Sequence, residues 1–373
     1  MHLNPGYNVP VNARFHYQGN SNCTHAGTAL PAGESNVLLR AEGNRLEFTA
    51  TDLDVTITCS VEASVKTPGA TTIPVKKLFG IARELASAEI ELEVDDKNVT
   101  ALRSGSSFFK IRGLGPEEFP PLPKFKEDKK VSLPQDKIKG MLKKTSFAIS
   151  TDESRYVLNG IFFSLKEHKL TMVATDGRRL ALVDEEVDVP ATSQGEFIVP
   201  AKAVNELNRL LQDKGEVEIK FSDNQAAFTL KDDKGNATLV ITKLIEGNYP
   251  NYRQVIPAET KERVTLVRDE FLHALRRAEL MTSEKQNSVK LTFAKNNLSI
   301  TANSPDVGEA RESMAINYKG KDISVAFNPG YVIEPLNALN TDEIYFELID
   351  ELSPGVLKIN GPFLYVVMPM RLS

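Results

Sequence analysis

From Leu46 to Thr51, apolar Leu46, Phe48 and Ala50 alternate with Glu47, Thr49 and Thr51, in a stretch that reads LEFTATDLDVTIT. A period of two marks a strand with one buried face. The same alternation, closing on the same Ala-Thr-Asp, returns in LTMVATDGRRLAL from Leu170 to Leu182. A weaker copy, LSITANSPDVGEA, puts Ala302 where Ala50 and Ala174 stand. Three further landmarks recur. TTIPVKKLFGIAREL, FIVPAKAVNELNRLL and VAFNPGYVIEPLNAL each run from a strand into a helix, with Pro74, Pro200 and Asn328 at the junction. Proline suits a helix start because the N–H it lacks would find no intrahelical acceptor there. VSLPQDKIKGMLKKTSFAI and VTLVRDEFLHALRRAELMT make a second such entry, aligning Ser132 with Thr265. EFPPL, NYPNY and VVMPMRL place a proline knot after the last strand of each copy.

Self-similarity at a fixed period is the signature of a duplicated unit. Three copies of about 125 residues fill the 373-residue chain. The predicted domains are 1–125, 130–252 and 257–373, with Gly115–Lys130 and Gly247–Glu262 as linkers. Stretches such as IELEVDDKNVTALRSGSSFFKIRGL read as meanders broken by Asp-Asp and Lys-Gly turns. The expectation is an α+β chain of three similar domains, each with two helices packed on antiparallel sheets and each long enough to bury its own core.

The helices share a character. After Pro134, Ile138, Met141, Leu142 and Thr145 form an apolar stripe, with Lys137, Lys139, Lys143 and Lys144 on the remainder. After Pro74, Leu78, Ile81, Ala82 and Leu85 are expected to face inward while Lys76, Lys77 and Arg83 face out. After Arg268, Phe271, Leu275 and Ala278 carry the stripe opposite Arg276 and Arg277. Lys202 and Arg209 sit on the helix after Pro200. Basic outer faces therefore recur in a chain whose formal net charge is −5. That total argues against tight, indiscriminate coating of nucleic acid, yet phosphate responds to local charge rather than to the sum.

Composition narrows the class. Hydrophobic residues make up 41% and charged residues 25%, as in soluble globular proteins. No apolar run approaches the roughly 20 residues of a membrane helix, and the N-terminus lacks the build of a secretion signal. Cys23 and Cys59 are the only cysteines, too few for a disulfide framework, so a cytoplasmic setting is expected. No phosphate-cradling glycine motif occurs, the histidines do not pair at metal-ligand spacing, and no nucleophile stands beside a base. Asp176 in ATDGRR reads as an Asp-Gly turn rather than a catalytic carboxylate. No enzyme, cofactor or metal is expected.

ATDGRRLA, YVLNGIFF, NYPNYRQVIP and the terminal YVVMPMRL, in this order and spacing, resemble the bacterial DNA polymerase III sliding clamps, the beta subunits, over about Ser35 to Leu372. The resemblance implies three copies of one domain per chain and two chains joined head to tail into a closed ring around duplex DNA, gripped without sequence preference. Helices would line the hole, with Lys76, Lys77, Lys137, Lys143, Lys144, Lys202, Arg209 and Arg276 as candidate DNA contacts, joined by Arg155 and Tyr156. It also implies a pocket for short hydrophobic peptides of the replicative polymerase, clamp loader and repair polymerases. Position by position, that pocket takes Leu158, Thr175, Gly177, Arg178, Arg179 and Leu180, then Pro250 and Val255. Asn328, Tyr331, Val366, Met368, Pro369, Met370 and Arg371 complete it. Methionine suits a groove that accepts many partners. Arg178 and Gln254 depart from the residues many relatives carry at the pocket rim. For the ring interface, Phe109 would meet Leu280 and Met281, with Arg103 or Lys110 facing Asp306, Glu309 or Glu312 across it.

The first 34 residues do not fit. The repeat asks for a strand and a basic amphipathic helix near residues 3–22, where LNPGYNVPVNARFHYQGNSNCTHAG stands instead. TALPAGESNVLL resembles the family's TLPIL-SNVLL with Ala-Gly-Glu in place of the apolar pair. A shifted reading frame upstream of about Ser35, restored afterwards, accounts for both observations. The runner-up function is accordingly a diverged, monomeric clamp-like scaffold that binds peptides without forming a ring. Translation of the other two frames of the gene tests the frame hypothesis. An amphipathic helix followed by Leu-Pro-Ile-Leu is expected, and its absence from both frames removes the idea.

Overall fold

The computed structural model describes residues 12–16, 36–86, 89–123, 125, 129–232 and 236–371. The repeat appears element by element. Its middle copy runs β9 (Lys129–Pro134), α2 (Gln135–Thr145), β10 (Gly160–Lys166), β11 (Lys169–Thr175), β12 (Arg179–Glu186), β13 (Gly195–Pro200), α3 (Ala201–Leu210), β14 (Glu216–Phe221), β15 (Gln225–Lys231) and β16 (Ala237–Lys243). The last copy gives β17 (Glu262–Val267), α4 (Arg268–Glu279), β18 (Val289–Ala294), β19 (Asn297–Ser304), β20 (Gly308–Ala315), β21 (Ile323–Phe327), α5 (Pro329–Ala338), β22 (Glu343–Leu348), β23 (Gly355–Lys358) and β24 (Phe363–Val367). In the first copy stand β1 (Asn12–His16), β2 (Asn36–Glu42), β3 (Arg45–Thr51), β4 (Val55–Thr67), β5 (Gly69–Pro74), α1 (Val75–Glu84), β6 (Glu89–Val94), β7 (Val99–Ser104) and β8 (Ser107–Arg112). The strand expected near residues 3–22 is present as β1. The helix expected after it lies outside the described residues.

The alternation has the burial it predicts. Leu46, Phe48 and Ala50 are buried, as are Leu170, Met172 and Ala174, and Leu298, Ile300 and Ala302. Pro74 and Pro200 each end a strand directly before a helix, and Asn328 caps α5 by accepting from the Gly330 N–H at 2.9 Å. The stripes of α2 (Ile138, Met141, Leu142, Thr145) and α4 (Phe271, Leu275, Ala278) are buried. That of α1 departs from expectation: Ala82 is buried, but Leu78, Ile81 and Leu85 are only half-buried. In the last repeat α5 packs on α4, which also contacts β17, β18, β19 and β20. No helix among the described residues is long and apolar enough to cross a membrane.

The strands form three sheets. One follows the path β8-β7-β6-β1-β4-β16-β15-β14-β9, with β3, β2 and β5 branching from β4. The second is β13-β10-β11-β12-β24-β23-β22-β17, and the third is β20-β19-β18-β21. Two of these sheets cross a repeat boundary, through antiparallel β4–β16 and β12–β24 pairs. The chain accordingly divides into two compact units that each take part of the middle repeat: Met1–Lys139 with Lys202–Leu244, and Gly140–Ala201 with Ile245–Ser373.

Near the β4–β16 pairing, ionisable groups gather around the half-buried Asp52 and Lys202 and the buried Glu206. The Asp52 carboxylate pairs with the Lys202 ammonium and accepts from the N–H groups of Asp54 at 3.1 Å and Val55 at 2.9 Å. Burial pushes the Asp52 carboxyl up, but Lys202 and the two amides outweigh it and hold it below the usual range. Glu206, 6% exposed, is pushed up, first by burial and further by Asp52, against the opposing Arg209 and Lys202. The two carboxyls therefore act on stability with opposite signs. The contribution of Asp52 is present above its unfolded value of 3.8 and is lost as pH falls through its lowered folded value. That of protonated Glu206 is present below 4.5 and is lost as pH rises through its raised value. At pH 7, thermal melts should show Asp52→Asn destabilised by about 1–2 kcal/mol and Glu206→Gln at least as stable as the parent. A Glu206→Gln protein that melts well below the parent at pH 7 contradicts this account.

Candidate functional site

The turn Thr175–Arg179, between β11 and β12, is built by its own side chains. The Thr175 hydroxyl accepts from the Gly177 N–H at 3.1 Å and donates to the Arg179 carbonyl at 2.6 Å. Asp176 Oδ1 accepts from the amides of Arg178 at 2.9 Å and Arg179 at 3.1 Å. Gly177 has φ +84°, and a Cβ there would lie 2.5 Å from Arg155 Nη1. Glycine suits the positive φ of this turn, and a Cβ would oblige the flexible end of Arg155 to move.

This turn delivers Arg179 into the interior, where it is 9% exposed. Its Nε donates to Asp176 Oδ2 at 3.0 Å, one Nη donates to Glu334 on α5, and the other donates to the Phe147 carbonyl at 2.7 Å. The guanidinium carbon also lies 4.5 Å from the Tyr331 ring centroid and 5.8 Å from that of Phe147. Burial opposes the charge, but Tyr365, Glu334 and Asp176 outweigh it and hold the group protonated. A buried cation of this kind persists only when fully partnered, and here three polar acceptors and two ring faces partner it.

Beside this anchor an apolar floor forms. Leu180 of β12 faces Val366 of β24, and both are buried with Phe162, Val173, Ile198 and Tyr252. Val157, Tyr249 and Ile256 pack around that cluster. Tyr249 stacks on Phe162 at 4.9 Å, so the segment carrying Pro250 and Val255 is held against the floor. The chain after β24 runs back along the same elements: the Met368 N–H donates to the Arg178 carbonyl at 2.9 Å and that of Met370 to Ala326 at 2.7 Å. Tyr365 donates its hydroxyl to the Tyr331 carbonyl at 2.6 Å, tying β24 to α5.

Fifteen residues expected to share a pocket thus fall in one compact unit. Leu158, Arg179, Leu180 and Val366 are buried, and Thr175, Asn328, Tyr331 and Pro369 are half-buried. Gly177, Arg178, Pro250 and Arg371 are exposed, as are Val255 (47%), Met368 (42%) and Met370 (40%). Val255, Met368 and Met370 thus leave apolar surface in solvent, in segments tied to the strands that carry the buried Leu180 and Val366. Glu334 and Phe147, which hold Arg179, were not expected. Alignment of the repeats points to Glu334, because the buried Glu206 occupies the same place on α3.

The other candidates differ in availability. Lys76, Lys77, Lys137, Lys143, Arg155, Tyr156, Arg209 and Arg276 are exposed and Lys144 half-buried. Lys202 is half-buried and tied to Asp52, which takes it out of the solvent-facing set. Arg209 lies 3.5 Å from Glu206, Lys143 donates to Asn340, and Arg276 donates to Asn337. Phe109 on β8 is 37% exposed and Leu280, closing α4, is 71% exposed, with Met281 half-buried. Arg103 already pairs with Glu93 at 2.9 Å, and Glu312 takes two bonds from Arg277. Of the charges expected across an interface, these two are satisfied within the chain.

Family models describing the N-terminal, central and C-terminal domains of the DNA polymerase III beta subunit match residues 32–123, 132–251 and 253–371. Among curated relatives, the beta sliding clamp of Chlamydia pneumoniae is 37% identical over 338 residues, 91% of each chain. That of Bacillus subtilis is 28% identical over 351 residues, 90% of this chain and 92% of the relative. Among solved structures, sliding clamps bound to griselimycin from Bartonella birtlesii and Pseudomonas aeruginosa superpose with TM-scores of 0.88 and 0.90 at 32% and 29% identity. Both alignments cover 97% of this chain and 100% of the other. For the site itself, Arg179→Met strands Asp176 and Glu334 without their cation and should cost about 2–3 kcal/mol. Gly177→Ala should cost about 1–2 kcal/mol through its positive φ and the displaced Arg155. Thermal or urea melts of both variants check these values, and parent-like stability of Arg179→Met overturns the role given to that residue.

Proposed function

The chain belongs to the DNA polymerase III beta subunit family, and from that premise we propose that it is a sliding clamp, two copies of which close head to tail around duplex DNA. The carrying observation is a strand-pairing rule. In repeat terms β4, β12 and β20 are one strand, and β8, β16 and β24 another. Wherever two repeats adjoin, the first kind pairs with the second: β4 with β16, and β12 with β24. That leaves β20 and β8, each ending its sheet with an edge unpaired among the described residues. Exposed edges are pairing templates, and applying the rule a third time joins β20 of one copy to β8 of the next.

Register follows from the same rule. Ile57 and Ala181 lie opposite Ala50 and Ala174, and across the junctions they face Val240 and Tyr365. Ala310 is the residue opposite Ala302. Val240 and Tyr365 lie opposite Phe228 and Leu357 of the preceding strands, and Phe109 stands in the same relation to Leu102. Phe109 therefore falls opposite Ala310 of the partner copy and Lys110 opposite its Glu309, two charges that make no ion pair within the described chain. Exposed Phe108, Leu280 and Val307 flank these edges and supply the apolar centre that a stable interface needs.

A clamp must stay on DNA yet move along it, so closure rather than affinity has to retain it. The exposed lysines and arginines of the helices, Lys76, Lys77, Lys137, Lys143, Lys144, Arg209 and Arg276, with Arg155 and Tyr156, form the proposed inner lining. The groove beside Arg179 is the proposed docking site for short hydrophobic peptides of polymerase, clamp loader and repair proteins. The griselimycin-bound relatives support a fold that holds a ligand.

Sedimentation tests the ring: a particle near twice 41.2 kDa is expected. Lys110→Glu should weaken it and Glu309→Lys added to that variant should restore it, whereas a monomeric parent at micromolar concentration sinks the proposal. The dimer, once loaded, should remain on nicked circular DNA and run off after linearisation. Lys76→Gln with Lys77→Gln should lower the salt slope of DNA association by up to about 2, at roughly 0.9 for each phosphate no longer neutralised.

A further inference from the structure

Glu206 follows Pro200 on α3 at the same interval as Glu334 follows Asn328 on α5, so the two carboxyls hold one place in the repeat. Glu334 is answered by Arg179. Glu206 has no such answer. Val55 stands in the place of Arg179, and the turn before it presents another carboxylate, Asp52, to which Lys202 is drawn. Glu206 is nonetheless only 6% exposed. The charged groups that face it are Arg209 and Lys202 on its own helix and Asp52 on the turn between β3 and β4. Its one ion pair among the described residues is with Arg209 Nη1, at 3.5 Å.

Arg209 is the solvent-facing half of that pair, with 57% of its side chain exposed, and it belongs to the basic set proposed to meet duplex DNA. A guanidinium cannot turn to a phosphate oxygen and stay on Glu206. Once it turns, a buried carboxylate is left without its nearest cation and beside Asp52, which Lys202 and two backbone amides keep ionised. A charge in such a place takes up a proton rather than persisting. Burial already pushes the Glu206 carboxyl above 4.5, with Asp52 adding to it and Arg209 and Lys202 opposing. Withdrawal of Arg209 removes the stronger of the two opposing cations.

We propose that Glu206 regulates the DNA lining: ionised, it holds Arg209 back, and binding of the duplex frees Arg209 with uptake of one proton at Glu206. This rests on the lining reading above and adds to it a dependence on pH. Bound protein holds the Glu206 proton more tightly than free protein, so affinity for DNA is highest at low pH. It falls as pH rises through the interval between the two carboxyl values, both above 4.5.

The test measures association of a fluorescein-labelled duplex with the full-length protein by anisotropy, at low salt and from about pH 5 to about pH 8. The parent should lose up to about fivefold in affinity across this range, the scale of one exposed charge pair. Glu206→Gln should bind near pH 8 as tightly as the parent near pH 5 and show no comparable loss. Titration calorimetry in two buffers of unlike ionisation enthalpy should register proton uptake by the parent and none by Glu206→Gln. Arg209→Gln should bind more weakly than the parent, and adding Glu206→Gln to it should change nothing, which separates a hold on Arg209 from the mere loss of one negative charge. A pH profile that survives in Glu206→Gln overturns the inference, as does a gain from Glu206→Gln that is equal with and without Arg209; the lining reading stands in either case if Arg209→Gln has weakened binding. Parent-like binding by Arg209→Gln at every pH takes Arg209 out of the lining, and this inference falls with it. Melting curves over the same pH range show that each variant is folded where its binding is read.

Discussion

One pairing holds the molecule's organisation: the strand after the Ala-Thr-Asp turn of one repeat hydrogen-bonds to the last strand of the next. Backbone N–H and C=O groups in a sheet must find partners, and at each internal boundary this pair supplies them while merging two repeats into one sheet. A one-residue slip would turn every side chain to the opposite face. Register is therefore fixed at Ile57–Val240 and at Ala181–Tyr365, and the turn before β12 also delivers Arg179 into the interior. The proposed docking surface and the repeat junction would be one piece of construction, its candidate residues coming from a turn, a strand end and a helix brought together by that pairing.

The two internal junctions share a backbone and differ in charge. Thr51 repeats the Thr175 turn: its hydroxyl accepts from the Leu53 N–H at 3.1 Å and donates to the Val55 carbonyl at 3.2 Å. Leu53 even takes the positive φ, +76°, that Gly177 takes at the other junction. In the groove the cation comes from the strand, as Arg179, and reaches a helix carboxylate, Glu334. At the first junction Val55 stands in the place of Arg179, and the cation comes from the helix, as Lys202, to meet the turn carboxylate Asp52. Beyond the turn, Met368 has Lys243 as its counterpart, paired to Asp54 at 3.1 Å. An ion pair thus occupies positions where the groove shows methionine and arginine. Duplication supplied the scaffold twice, and side-chain divergence left an apolar surface at only one of these two places.

Much of this was legible in the sequence, for definite reasons. Ala50, Ala174 and Ala302 mark equivalent positions because a strand packed on one face cannot change its period without losing its core. Pro74, Pro200 and Asn328 mark strand-to-helix corners because backbone requirements there admit few residues. The half-covered stripe of α1 was not legible, since periodicity reports which face a helix would bury and not whether anything covers it. Lys202 looked like one more solvent-facing lysine, because its partner Asp52 lies far away in sequence. Glu334 and Phe147 escaped for the same reason: contacts made by folding distant segments together leave no local pattern unless a repeat offers a counterpart to compare.

The proposed head-to-tail closure would make coherent use of the charge distribution. A chain of net charge −5 repels a polyanion at long range, while exposed cations on successive helices attract it at short range. Affinity alone would set these against each other, because cations numerous enough to hold DNA would also halt movement along it. A closed ring removes that conflict, since its hold is the covalent and sheet continuity of its wall and needs only enough attraction to keep the duplex centred. In the proposed ring the β8 and β20 edges would have a stricter duty than the internal junctions. They would have to pair well enough to keep the wall shut and still part when DNA is admitted, which favours a short strand pair with apolar residues at its centre and single charges at its margin over a fully buried core.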